Sequence, residues 1–367
     1  MAILLTGAAG FIGFHVAEAL LARGEQVIGV DSLNDYYDPR LKQARLDRLQ
    51  PHAGFAFHRL DISDRNAVGD LIRDNKEIDR IIHLAAQAGV RHSLVDPYAY
   101  VQANLMGHLV ILEAARGIER LRHLVYASSS SVYGANQALP FAETDRVDTP
   151  LSLYAATKRA DELMSHAYGH LFGVRQTGLR FFTVYGPWGR PDMAYYSFAK
   201  AIVAGEPITL YDGGTLRRDF TYIDDIVAGV LGVLDHPPDG TAPRSLPGVQ
   251  QSGVQQSGEQ RSGVRELHGE QELAALDDPP AAAPPVRVLN IGNHRSELVS
   301  TLIAELEAAL GRTAVVRAVP RPPADVAETF ASIEAISALT GFSPSTSLHD
   351  GIPRFVAWFR AWHGLND

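Results

Sequence analysis

The sequence predicts an α/β fold, a doubly wound parallel sheet with a smaller α/β domain towards the C-terminus. Three observations carry this. Short aliphatic and β-branched runs alternate with helical patterns over roughly the first half of the chain, an alternation that buries a parallel sheet between two layers of helices. Distinctive polar residues stand at the carboxyl ends of those runs, where open parallel sheets bind ligands. The chain has 367 residues, 46% of them hydrophobic and 20% charged, enough for about two domains with sizeable cores.

In chain order, the first strand is AILLT, ended by Gly7, and a helix follows to Arg23. QVIGV runs to Asp31, FAFHRL to Asp61, IDRIIHLA to Ala85 and LRHLVYAS to Ser128, and VRQTGLRF supplies a sixth strand. Helices over 97–116 and 153–171 carry apolar stripes wider than covering one sheet face requires. Over 237–285 the character changes. GVQQSGVQQSGEQRSGV repeats every five residues, with Gly248, Gly253, Gly258 and Gly263 in register, and a proline- and alanine-rich stretch follows. That period matches no solenoid unit, and few large apolar residues offset the entropy of ordering, so a flexible surface insert is expected. VRVLNIGN then resumes a strand, 300–310 is amphipathic, and GIPRFVAWFRAW reads as a closing helix. The expected organisation is therefore a first domain over 1–180 with a contribution from 219–236, a second from 181–218 and 286–367, and the insert at 237–285.

Composition excludes several classes. No apolar run of about 18 residues occurs, and the apolar N-terminus lacks the basic region of a signal peptide, so a cytoplasmic protein is expected. Zero cysteines exclude disulfides, thiolate metal sites and a cysteine nucleophile. A net charge of -9 argues against nucleic-acid or anionic-membrane partners. Any phosphate recognition must be local. Fourteen histidines form no H-E-x-x-H or comparable pattern, His83 and His108 read as packed or exposed, and no metal is expected.

TGAAGFIG places Gly7, Gly10 and Gly13 between a strand and a helix. Glycines there let the turn tighten and let backbone N–H groups and the helix N-terminus approach a pyrophosphate. Asp31 ends the second strand, at about the interval where an acidic residue accepts from ribose hydroxyls and repels a 2′-phosphate. The pair predicts a Rossmann-type site for NAD over NADP. Asp61 and Ile62 either contact the adenine, or Asp61 caps the next helix.

Tyr154 and Lys158 in YAATK are spaced i, i+4, one face of a helix. A lysine ammonium and an oxidised nicotinamide both favour phenolate, which makes Tyr154 a base for a sugar hydroxyl. Together TGAAGFIG, HLAAQAGVRHS, YASSSSVYG, YAATK, RDFTYIDDI and LNIGN resemble the extended short-chain dehydrogenase/reductase family, its NAD-dependent nucleotide-sugar epimerases and dehydratases. The resemblance covers nearly everything outside 237–285. Within that family, DSLNDYYDPRLKQARL and YGPWGRPDMA are similar to the UDP-glucuronic acid 4-epimerases.

The resemblance implies roles residue by residue. The family's catalytic hydroxyl lies five residues before the glycine of V-Y-G, here Gly134, which implies Ser129 beside Tyr154 and Lys158. Ser128 would serve the strand end or the nicotinamide. Cofactor contacts extend to Phe11 and Ile12 in the glycine run and to Leu84, Ala85 and Ala86. Where Ser130 and Ser131 stand, related dehydratases carry an Asp-Glu pair and the decarboxylases an acidic residue; serine cannot replace either as an acid or base at neutral pH. Elimination and decarboxylation are thus disfavoured. The implied reaction inverts carbon 4 of UDP-glucuronic acid through a 4-keto intermediate, with Ser130, Ser131 and Thr183 gripping the carboxylate; the other reading of Ser130 and Ser131 is a polar turn satisfying its own backbone.

Arg91 faces either the sugar or the nicotinamide, or forms a surface ion pair. Arg190 and Arg218 are candidates for the diphosphate, since a guanidinium fork matches phosphate oxygens, with Arg218 supported by resemblance. PADVAETFA resembles an element whose Asp, here Asp325, binds the uridine ribose; Ala324 and Pro322 depart from the family pattern, which weakens Arg321 as a phosphate ligand. The family also pairs two helices across a dimer axis, implying a homodimer. Rival readings are a UDP-glucose/UDP-galactose 4-epimerase, a net oxidoreductase that releases NADH, and an NAD-binding sensor, which should lack the Ser-Tyr-Lys set.

Overall fold

The computed structural model describes residues 1–239, 283–321 and 326–365. Most of the expected insert, and Pro322, Ala324 and Asp325, lie outside the described residues. In order come β1 (Ala2–Thr6), α1 (Phe11–Ala22), β2 (Val27–Asp31), α2 (Pro39–Leu49), β3 (Phe55–Arg59), α3 (Arg65–Asp74) and β4 (Ile78–His83). The next elements are α4 (Pro97–Tyr100), α5 (Gly107–Gly117), β5 (His123–Ser129), α6 (Leu153–Phe172), β6 (Gln176–Phe181), β7 (Thr183–Tyr185), α7 (Ala194–Ala204) and β8 (Pro207–Tyr211). There follow β9 (Arg217–Arg218), β10 (Phe220–Tyr222), α8 (Ile223–Leu234), β11 (Val286–Ile291), β12 (Glu297–Leu298), α9 (Val299–Leu310), β13 (Val315–Val319), α10 (Glu334–Thr340) and α11 (Leu348–His363).

The central sheet has seven parallel strands in the order β11-β6-β5-β4-β1-β2-β3. Order reverses beside β1, so the crevice outside its carboxyl end is the topological switch point. Both faces are apolar. Ile3 and Leu5 point into one layer with Phe14, Val16 and Leu20 of α1 and Val230 and Val233 of α8. Leu4, Ile28 and Val30 point the other way, onto Val68 and Leu71 of α3 and Val110 and Ile111 of α5. The two-residue period of β-strand side chains produces this division.

Two expectations change. The sequence places VRVLNIGN in the smaller domain with the rest of 286–367; β11 instead pairs with β6 from Val286↔Gln176 to Ile291↔Phe181 and forms the edge of the central sheet. A strand pattern reports burial but not which sheet it joins. The single helix expected over 97–116 is divided by a π-helical turn, Val101–Met106, between α4 and α5. The turn carries Asn104, whose side chain accepts from the Gln87 N–H (2.8 Å) and donates to the Gln87 carbonyl (3.1 Å) and Thr157 Oγ1 (3.0 Å). One π turn shifts the helical register, and here the buried amide it presents joins the loop after β4 to α6. The remaining two-stranded pairs, β10-β7, β12-β9 and β13-β8, lie outside the central sheet.

Candidate functional site

At the switch point lies a cavity of about 520 Å³, lined by the loops after β1, β2, β3, β4 and β5, by α6, and by the segment after β6. Gly7 has φ +76°, and a Cβ there would stand 2.8 Å from the Ala85 backbone nitrogen. At Gly13 a Cβ would stand 2.0 Å from the Gly7 carbonyl oxygen. Only glycine lets β1 turn this tightly into α1. No side chain caps α1 at Gly10, so the first-turn N–H groups of a helix bordering the cavity are left for a ligand.

Asp31 closes β2 with both oxygens oriented by backbone: Oδ2 accepts from Ala9 N–H (3.2 Å) and Oδ1 from Leu33 N–H (2.9 Å). Lys42 Nζ lies 3.8 Å from Oδ1 and donates to Asn34 Oδ1. Burial pushes this lysine below its ordinary value, against the opposing charge of Asp31. Asp61 and Ile62 line the same end of the cavity. The capping alternative for Asp61 is corrected: its Oδ1 accepts from Ser63 N–H and Oγ, forming a turn, and Asp64 caps α3 through Asn66 and Ala67. His83 and His108 are packed, with rings stacked at 5.3 Å. His83 contacts Thr6 Oγ1 at 2.7 Å, and burial pulls it down to about 3, a neutral imidazole. Among the described residues no group of three or more His, Cys, Asp or Glu could hold a metal ion.

Tyr154 and Lys158 stand on α6, whose start is capped by Ser152 accepting from Ala155 N–H. Lys158 Nζ donates to the Ala127 carbonyl (2.9 Å) and to Asp161 Oδ2 (3.2 Å). The serine run divides at the end of β5. Ser128 gives its hydroxyl proton to Glu162 Oε1 (2.7 Å) and also lines the cavity. Ser129 Oγ accepts from Ser131 N–H (3.2 Å) and caps a short 3-10 turn over Ser130–Tyr133. Ser129, Ser130, Ser131 and Thr183 line the cavity together with Tyr154 and Lys158. Behind Ser128, Arg180 grips Glu162 with two bonds of 2.8 and 2.9 Å, and Arg159 adds a third at 3.0 Å. Burial raises Glu162, but its arginine partners outweigh that and hold it ionised.

The arginines separate. Arg190 lines the cavity, its guanidinium held by Asp192 at 3.0 and 2.8 Å, and Tyr36 donates to the same carboxylate at 3.2 Å. Arg91 and Arg218 are outside the lining. Arg91 sits 4.8 Å over the Tyr211 ring, and Arg218 donates to the Arg217 and Ala327 carbonyls. Asp325 lies outside the described residues. Lys42, Tyr36, Gln87 and Asn104 also shape the site, and no motif in the sequence marks them. Lys42 and Tyr36 occur in DSLNDYYDPRLKQARL, where helix and turn positions gave no sign that they reach back to Asp31 and across to Asp192.

Among the described residues no helix is long and apolar enough to cross a membrane. Residues 3–246 match the family described as the NAD dependent epimerase/dehydratase family. The chain is 45% identical to a probable UDP-glucuronate 4-epimerase of Rhizobium meliloti (strain 1021), over 98% of this chain and 97% of that one. It is 42% identical to UDP-glucuronate 4-epimerase 1 of Arabidopsis thaliana, over 100% of this chain and 78% of the relative. Its structure is similar to that of the UDP-glucuronic acid 4-epimerase from Bacillus cereus in complex with UDP-glucuronic acid and NAD, with a TM-score of 0.80, 31% identity, and coverage of 99% and 100%.

Proposed function

The chain belongs to the NAD dependent epimerase/dehydratase family, and from that premise we propose that it inverts carbon 4 of UDP-glucuronic acid to give UDP-galacturonic acid. The observation that carries this is the make-up of the cavity. Its two lining carboxylates, Asp31 and Asp61, follow β2 and β3, whereas the end bearing Tyr154 and Lys158 presents the hydroxyls of Ser129, Ser130, Ser131 and Thr183. No lining acid is placed to expel a sugar hydroxyl.

The residues fit NAD. Gly7, Gly10, Phe11, Ile12 and Gly13 would hold its pyrophosphate, Asp31 its adenosine ribose, Asp61 and Ile62 the adenine, and Leu84, Ala85, Ala86 and Ser128 the nicotinamide end. When bound, NAD takes up and returns the hydride of carbon 4. Tyr154, as phenolate, takes the proton of the 4-hydroxyl. Lys158 holds a positive charge beside that oxygen, and Ser129 hydrogen-bonds the reacting hydroxyl. The resulting 4-ketose turns its other face, and Tyr154 gives the proton back with the configuration inverted. Because this ketose is a β-keto acid, inclined to lose carbon dioxide, the protein must hold its carboxylate without promoting that loss. Hydrogen bonds from Ser130, Ser131 and Thr183 hold it in either orientation. Arg190 and Arg218 are the proposed diphosphate contacts, with Arg91 on the sugar side and Asp325 at the uridine ribose. A homodimer in the cytoplasm completes the reading, supported by Leu94, Val95, Tyr98 and Leu163, large apolar side chains exposed along the 94–106 segment and α6.

Proton NMR of the protein with UDP-glucuronic acid tests it. The expected result is a mixture with UDP-galacturonic acid and no accumulation of NADH or carbon dioxide. Interconversion of UDP-glucose and UDP-galactose with UDP-glucuronic acid unchanged would instead assign a neutral sugar.

A further inference from the structure

Tyr154, Lys158 and Asp161 are spaced i, i+4 and i+7, which places all three on one face of α6. Asp161 is 1% exposed; its Oδ2 accepts from Lys158 Nζ at 3.2 Å, and its Oδ1 has no hydrogen-bond partner. The mechanism above makes no use of this carboxylate. A buried acid with one unsatisfied oxygen is costly, yet this one is directed at the lysine whose charge favours the phenolate.

We infer that Asp161 is a positioning residue that tunes the base: its charge offsets part of the Lys158 field at Tyr154, so removing that charge lets Tyr154 ionise at lower pH. The inference rests on the acid–base roles proposed for Tyr154 and Lys158. Two helical turns separate Tyr154 from Asp161, roughly 10 Å along the axis. At the effective dielectric of protein sites, one charge at that distance moves an ionisation by about one pH unit.

The groups surrounding Asp161 leave it as the residue that changes charge near neutrality. On α6 itself the neighbouring groups are the Lys158 ammonium, the Arg159 guanidinium and Glu162, which Arg180 of β6 holds below the usual carboxylate range against the upward push of burial. From β5, Tyr126 is pushed far up by burial and then by Glu162. From β4 and α5, His83 and His108 are pulled down by burial and remain neutral. Asp161 is raised by burial to about 6, with Lys158 only partly opposing the shift. Below that pH its proton releases the Lys158 field, which counteracts reprotonation of Tyr154 as the solution is acidified.

The experiment is a near-ultraviolet titration of the phenolate band in NAD-loaded protein, taken as the difference between each protein and its Tyr154→Phe counterpart. It is run for the wild type, Asp161→Asn and Asp161→Glu. Expected is a midpoint about one pH unit lower in Asp161→Asn and a return towards the wild-type midpoint in Asp161→Glu. Asp161→Ser replaces the asparagine variant should that one not fold. An unmoved or raised midpoint in the uncharged variant overturns the inference. The titration needs no sugar, so it is separable from the substrate reading. A lowered midpoint in a protein that leaves UDP-glucuronic acid unchanged upholds Asp161 and sinks the proposed substrate.

Discussion

Replacing Glu162 with glutamine removes the charge at the centre of the network behind the serine run. In the wild type the carboxylate, 1% exposed at its side chain, takes two bonds from Arg180, one from Arg159 and one from Ser128. Arg180 is 3% exposed and donates also to Tyr133 at 3.0 Å, which in turn donates to Asn290 of β11 at 2.7 Å. Glutamine keeps one acceptor but turns an NH2 group towards one of these donors and leaves the Arg180 charge without its counter-ion. Breaking a buried pair from one side costs about 3–5 kcal/mol. Because the amide still satisfies one donor, the lower end applies, about 3 kcal/mol, or a fall in Tm of roughly 4 °C for a chain of this length. Scanning calorimetry at saturating NAD measures it, with NAD held constant because ligand binding itself raises Tm. The paired replacement Glu162→Leu with Arg180→Met should cost less than Glu162→Gln alone, since the only cation it leaves unpartnered in this network is Arg159, which is part-exposed and can be solvated. A Tm for Glu162→Gln within about 2 °C of wild type, or a double variant worse than the single one, would refute the reasoning.

Tyr154→Phe should lower kcat by about 10²–10⁴-fold, the usual contribution of a positioned acid–base group, while NAD binding followed by calorimetry persists. Gly13→Ala should abolish NAD binding, because its Cβ would meet the Gly7 carbonyl at 2.0 Å and force the loop apart; unchanged affinity would show that the loop yields freely. His123 is buried between the Leu234 carbonyl and Thr177 Oγ1, and burial lowers it from 6.5 to about 4. Its contribution to stability is complete above pH 6.5 and is lost as pH falls towards 4, so His123→Gln should flatten the acid side of a stability–pH curve by up to about 1.4 kcal/mol per pH unit. An unchanged slope would mean that the imidazole charges without loss of the fold.

The strands were legible because parallel strands buried on both faces read as aliphatic runs, and β1 to β6 appear where those runs occur. Gly7, Gly13 and Asp31 were legible because each has a steric or electrostatic reason to stand where it does. What escaped depends on distance along the chain. Arg45 reads as one more charge on an amphipathic helix, yet it is fully buried and donates to the Ala9 carbonyl, Tyr37 and the Trp188 carbonyl. Asp161 reads as a solvated helix position. It is buried because β5 and α5 close over that face of α6, an outcome that no local pattern announces. Asp64, and not Asp61, caps α3 because an intervening turn delays the start of the helix.

The edge position of β11 bears on how the chain can fold. Strand β6 carries Arg180 and leads directly to Thr183, but one of its flanks is covered only by residues 286–291, which lie beyond the end of the family match at residue 246. Until that stretch has been synthesised, β6 presents a row of unpaired backbone groups, the kind of edge that recruits other chains. A fragment ending near residue 236 would therefore hold the whole glycine loop, Tyr154 and Lys158, and still leave its sheet one strand short.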